Sequence, residues 1–125
     1  MKALLIKAET METTVVDLIE DEDTGSSEQI HKLLGVSGVD YAYRTIENKE
    51  YYFIVDDYGL RNEDYIVCAW SPSRDSVLAG DLIVSKTNVI GKTVSLNDDD
   101  IKRIERNINE VTFRSGEKKK VLFLD

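Results

Sequence analysis

Three successive carboxylates, Asp98, Asp99 and Asp100, stand just ahead of an apolar, basic run in this 125-residue chain. Converging acids could hold a divalent cation or transfer a proton. The residues downstream argue otherwise, because Ile101, Ile104, Ile108 and Val111 recur at helical spacing. Consecutive helical residues point in different directions and cannot close on one ion. Asn97 is a favourable N-cap, and Asp100 stands near capping-box spacing from it. Acids in a first turn also interact favourably with the helix dipole. The spacing therefore predicts a helix start here.

The other candidates offer less. His31 is the sole histidine, which removes any multi-histidine metal site, and it falls between Ile30 and Lys32 on a short helical pattern. Cys68 lies in the apolar run "DYIVCAW", where a thiol reads as a small buried hydrophobe. A serine or cysteine nucleophile needs a positioned base, and no spacing assigns His31 to one. Asp56 and Asp57 end a strand pattern, where neighbours face opposite sides. There is no glycine-rich phosphate loop and no paired-cysteine motif. The expectation is a protein that is not an enzyme and uses no metal or cofactor.

"AWSPSRDS" raises a different chemistry, recognition. It holds the only tryptophan, Trp70, and the only proline, Pro72, beside Arg74. Trp, Tyr and Arg are the side chains most often central to protein interfaces. With Tyr58 from the preceding loop they would make an aromatic, cationic contact patch. A second reading makes Trp70 core and the segment a connection. A third sets Arg61, Asn62, Trp70 and Arg74 around a nucleotide-like anion, held by charge-assisted hydrogen bonds and stacking.

The charge is unevenly placed. Acids number 24 and bases 16, for a net of −8. Glu9, Glu12, Asp17, Glu20, Asp21, Glu22, Asp23 and Glu28 fall in one window with no Lys or Arg, and the rest of the chain balances. Such a field repels nucleic acid and speeds association with a basic protein surface. Glu20–Asp23 are its densest part. The window reads either as a solvated turn or as an acidic docking face.

These groups must be positioned by a body that the pattern predicts to be α+β. It is a single domain over residues 1–125, a mostly antiparallel sheet of five to seven strands with two helices. "KALLIKA" is a continuous apolar run, as an inner strand requires, and "TTVVDL" is its hairpin partner. A helix capped by Ser26 or Ser27 runs through "SEQIHKLLG". "VDYAYRTI" and "EYYFIVDD" flank a turn at "ENKE", with Tyr41 and Tyr43 on one face. "YIVCAW" and "DLIVSK" are further strands, joined by "SPSRDSVLAG". Residues 110–125 read as an added C-terminal hairpin. No segment approaches the ~18 apolar residues of a membrane span, and one unpaired cysteine suits a reducing, cytoplasmic setting.

Several segments carry a family resemblance. "MKALLIKAE", "IHKLLGVSGVDYAYR", "VDDYGL", "LAGDLIVSK" and "SLNDDDIKRI" occur in the order seen in domain-of-unknown-function family 3846, which the chain resembles over roughly residues 1–108. The most specific features are the acid-acid-x-glycine turn at Asp56–Gly59, the Ala79-Gly80-Asp81 turn, and the helix start at Ser95. After Gly59 the family pattern reads Leu-Pro-x-Asn-Arg, whereas this chain has "LRNEDYIV". The resemblance implies an accessory protein of a bacteriophage or conjugative element. Such a protein would act in the host cytoplasm as a counter-defence inhibitor, docking on a host protein with a basic surface. The alternative is a sponge that sequesters a nucleotide-derived immune signal.

Overall fold

Apolar runs buried on both faces organise the molecule. The structure is a computed structural model that describes residues 1–19, 27–59, 61 and 63–125. The described residues begin with β1 (Lys2–Ile6), β2 (Thr13–Asp17), α1 (Ser27–Leu34), β3 (Val39–Ile46) and β4 (Lys49–Asp56). There follow β5 (Val67–Ser71), β6 (Ser76–Ala79), β7 (Leu82–Thr87) and β8 (Thr93–Val94). The chain closes with α2 (Asp98–Arg106), β9 (Ile108–Thr112) and β10 (Lys118–Phe123). The architecture is α+β.

Sheet A has six strands in the order β2-β1-β7-β4-β3, with β8 beside β7, and every pairing is antiparallel. Sheet B adds four strands in the order β6-β5-β10-β9. Its β5–β10 pair is parallel. β10 is thus an inner strand, and its Leu122 belongs to the main core together with Leu124 just beyond it.

Sheet A is covered on both faces. Leu4, Ile6, Phe53, Val55, Leu82 and Val84 pack toward sheet B and Ile104 of α2. The alternate residues Ala3, Leu5, Ile54 and Ile83 pack against Ile30 and Leu34 of α1. A strand buried on both sides needs apolar residues at every position, which accounts for "ALLI" in β1 and "LIV" in β7. Gly35, at φ +65°, ends α1.

β6 lies within the segment expected to be a connection, and β8 in a stretch to which the pattern assigned no element. β6 is only four residues long and follows a Pro-Ser-rich turn, and β8 has two residues. Both are too short to show a period. The β3–β4 connection is tighter than "ENKE" suggests. Ile46 pairs with Lys49, and Glu47 and Asn48 alone turn the chain, both with φ above +50°. That is the two-residue turn whose twist matches the strands it joins.

Gly59 ends the acid-acid-x-glycine turn for a steric reason. A Cβ there would stand 2.8 Å from the Ala79 carbonyl oxygen of β6. Backbone cannot yield as a flexible side chain can, so Gly59→Ala should destabilise the fold by about 1–3 kcal/mol. Urea unfolding of the variant beside wild type checks this; an unchanged midpoint would contradict the close approach.

Candidate functional site

The three aspartates divide into two exposed residues and one buried hub. Asp98 and Asp99 are exposed, whereas Asp100 is 6% exposed. Asn97 caps α2: its Oδ1 accepts from the Asp100 N–H at 2.8 Å, and Asp100 Oδ2 accepts from the Asn97 N–H at 2.9 Å. The helix start expected from spacing is present, with a complete capping box.

Asp100 does more than cap. Its Oδ1 accepts from Tyr51 Oη of β4 at 2.8 Å, and its Oδ2 accepts from Lys86 Nζ of β7 at 2.6 Å. Arg103 Nη1 donates to the same Tyr51 oxygen at 2.8 Å. Burial pushes the Asp100 carboxyl upward, but Lys86, the Asn97 N–H and Tyr51 outweigh it and hold the group below its usual value. Burial raises the Tyr51 phenol to about 12. These groups satisfy one another and bolt α2 to sheet A. Nothing in the spacing of residues 51, 86 and 103 announces the cluster, because topology alone brings them together.

The far end of α2 is also tied. Arg106 Nε and Nη2 grip Glu47 at 2.7 and 2.5 Å, and Asn107 Nδ2 adds a third bond at 2.7 Å. Arg106 and Asn107 lower the Glu47 carboxyl to about 2. The Asp125 carboxylate accepts from the Glu47 and Asn48 N–H groups of the same turn.

The remaining candidates lie apart. His31 is half-buried on α1. Cys68 is buried, 3.8 Å from Met11 Sδ, and burial pushes its thiol up to about 12. Asp56 accepts from the Tyr58 N–H at 3.0 Å, a turn contact. Among the described residues, no group of three or more His, Cys, Asp or Glu gathers to hold a metal ion.

Trp70 is neither core nor free. It is half-buried and packs on Phe123, ring centroids 5.6 Å apart. Its neighbour Ala69, with Leu78 and Leu122, faces the main core. Trp70, Val77 and Val121 therefore face outward from sheet B. There they line an open groove of about 450 Å³ with Val67, Val111 and Phe113. Asp75 and Arg114 stand at its rim. Both described helices pack elsewhere, α1 on the opposite face of sheet A and α2 in the main core. Val111, which the spacing assigned with Ile108 to the helical run after Asp98, lies instead in β9, because α2 ends at Arg106; it completes the groove with Phe113, which the sequence did not single out.

The other expected contact residues that the structure describes do not join this groove. The Arg61 guanidinium lies 5.8 Å from the Tyr58 ring centroid, in the loop after β4. Arg74 is exposed in the β5–β6 turn. Glu20, Asp21, Glu22, Asp23 and Asn62 lie outside the described residues, as does Ser26. The described acids of the N-terminal window form two groups. Glu9 and Glu12 sit in the β1–β2 turn, whereas Asp17 ends β2 opposite Lys2, four strand residues or roughly 13 Å away. Glu28 joins the Asp17 end, where Gln29 of α1 bonds the Asp17 carbonyl and the Ile19 N–H.

No protein-family model matches the chain, and no curated protein or solved structure matches it.

Two predictions follow from the charged network. Asp100→Ala removes the shared partner of Lys86, Tyr51 and Arg103 and should cost about 2–4 kcal/mol, while Asp98→Ala and Asp99→Ala should each stay within about 0.5 kcal/mol of wild type. Denaturant unfolding compares them, and equal costs would contradict the hub. Glu47 titrates lower folded than unfolded, so its contribution is complete above the ordinary carboxyl value of 4.5 and is lost as pH falls toward 2. Glu47→Gln should flatten the decline of Tm across that window; an unaltered slope would contradict the assignment.

Proposed function

We propose that this protein acts by docking on another protein, through the outer face of sheet B with Trp70 at its centre. The observation that carries this reading is the open groove itself. It is an apolar concavity with one large aromatic anchor and a charged rim, the make-up of an interface centre. The strongest polar cluster of the described residues, around Asp100, is by contrast closed on itself and structural.

The partner is a protein with a basic surface. A net charge of −8 favours such an encounter, and the acids from Glu9 to Glu28 supply the excess. In this reading they steer approach, Glu20–Asp23 included, while the groove gives residence. The resemblance to family 3846 supports a setting in a phage or conjugative element, with inhibition of a host defence protein as the purpose.

Affinity capture from defence-expressing cells tests this, with mass spectrometry of retained proteins and of small molecules released by heat. Trp70→Ala should weaken the captured complex by about 2 kcal/mol or more, roughly thirtyfold. Phe113→Ala, at a more exposed position, should weaken it without disturbing the fold. Reversing the charges of Glu20–Asp23 should slow association and reduce its salt dependence, leaving dissociation unchanged. Undiminished capture by both aromatic variants would contradict the groove. A heat-released nucleotide, with uptake abolished by Arg74→Ala, would replace docking with sequestration.

A further inference from the structure

β3 ends sheet A on one side, and its open edge is closed by its own side chains. The Asp57 N–H donates to the Gly38 carbonyl at 3.3 Å, directly before the register that pairs Val39 with Asp56. Antiparallel alternation then points the backbone groups of residues 40, 42 and 44 toward β4, and those of 41, 43 and 45 outward. The outward groups confirm this. The Tyr41 N–H donates to Asp40 Oδ1 at 2.9 Å, and the Tyr43 carbonyl accepts from Arg44 Nη1 at 2.9 Å. The Thr45 carbonyl accepts from the Asp125 N–H at 2.9 Å.

These caps are incomplete. Arg44 Nε is buried and has no hydrogen-bond partner among the described residues. A buried donor without an acceptor is unfavourable, and one held beside a strand edge marks a place where an acceptor would be gained. The edge also adjoins a cleft of about 460 Å³, lined by Asp40, Ala42 and Arg44 on one side and Ser76 and Val77 of β6 on the other. Across β3, Tyr41 and Tyr43 lie 5.1 and 4.7 Å from the Tyr52 ring yet stay 44% and 45% exposed.

We propose that this edge receives a second copy of the chain, β3 pairing antiparallel with β3 about a two-fold axis at Ala42. The sequence Asp40-Tyr41-Ala42-Tyr43-Arg44 is its own complement in that register. Asp40 of each copy stands opposite Arg44 of the other, and Tyr41 opposite Tyr43. The outward N–H and C=O groups of residues 41 and 43 exchange across the axis. Asp40 and Arg44 leave their own backbone and pair between copies, which gives Arg44 Nε a carboxylate. The tyrosines of the two copies continue one aromatic row on the opposite face.

A foreign strand would need the same acid-aromatic-small-aromatic-base order to match, whereas a second copy carries it by construction. Asp125 already occupies the edge at Thr45, so the ladder is confined to residues 40–44. Association by so short a ladder is reversible. The contact does not involve Trp70 and does not depend on the docking reading.

Sedimentation equilibrium tests it. As concentration is raised, the wild-type mass should move from 14.2 kDa toward twice that value. Asp40→Arg alone and Arg44→Asp alone each place like charges across the axis and should stay monomeric. An equimolar mixture of the two single variants restores both opposite-charge pairs and should form a mixed dimer. The double variant, both substitutions in one chain, should self-associate like wild type, and circular dichroism of each variant checks folding. A wild-type mass that stays at one chain at every concentration would overturn the proposal, leaving the Asp40 and Arg44 caps as protection of the edge. So would mixed single variants that remain monomers while the double variant is folded.

Discussion

A single carboxylate, buried among two cations and a phenol, sets the geometry of half the molecule. Asp100 could not be buried alone, because a charge removed from water without partners is strongly unfavourable. Lys86, Tyr51 and Arg103 supply those partners, and two of them belong to strands of sheet A. α2 is thereby fixed against that sheet, with Ile104 in the main core. Only Asn107 separates α2 from β9, and the Phe123 N–H donates to the Asn107 carbonyl at 2.8 Å. The position of α2 therefore fixes the β9–β10 hairpin, and with it the wall of the Trp70 groove formed by Val111 and Phe113.

The opposite end of α2 repeats the principle in a more exposed form. Glu47 and Asn48 form a turn that requires left-handed backbone at two non-glycine residues. Such a turn persists when its surroundings hold it. Arg106, Asn107 and Asp125 all bond it, so α2 and the end of sheet B converge on the tip of one hairpin. The two sheets are joined by polar contacts at this corner and by apolar packing between them.

Legibility in the sequence followed the range of the interaction involved. The inner strands β1 and β7 were readable because burial on both faces demands unbroken apolar runs, and the start of α2 because its cap is a local signal; the apolar spacing overran its end, since Ile108 and Val111 belong to β9. The division into two sheets was not readable. It depends on β10 pairing in parallel with β5, Leu122 beside Ala69 and Phe123 beside Trp70, and no local pattern encodes that register. The side on which Trp70 emerges was hidden for another reason: a register shift between Val67 and Ala69 interrupts the alternation of β5. Asp100 was correctly read as part of a helix start, while its partners on β4 and β7 could be found only from the fold. The acidic window was legible as composition; the split of its described acids between the two ends of the β1–β2 hairpin was not.

On the docking proposal, a body braced by closed polar contacts, with an aromatic groove open on one side, holds a partner rather than transforming it. The stoichiometry of action tests that claim most directly. Titrating the protein into its captured partner, with the partner's activity as readout, should give a loss that saturates at a fixed molar ratio and reverses when the complex is dissociated. Complete and lasting loss at a small fraction of that ratio would show turnover, and would contradict the account.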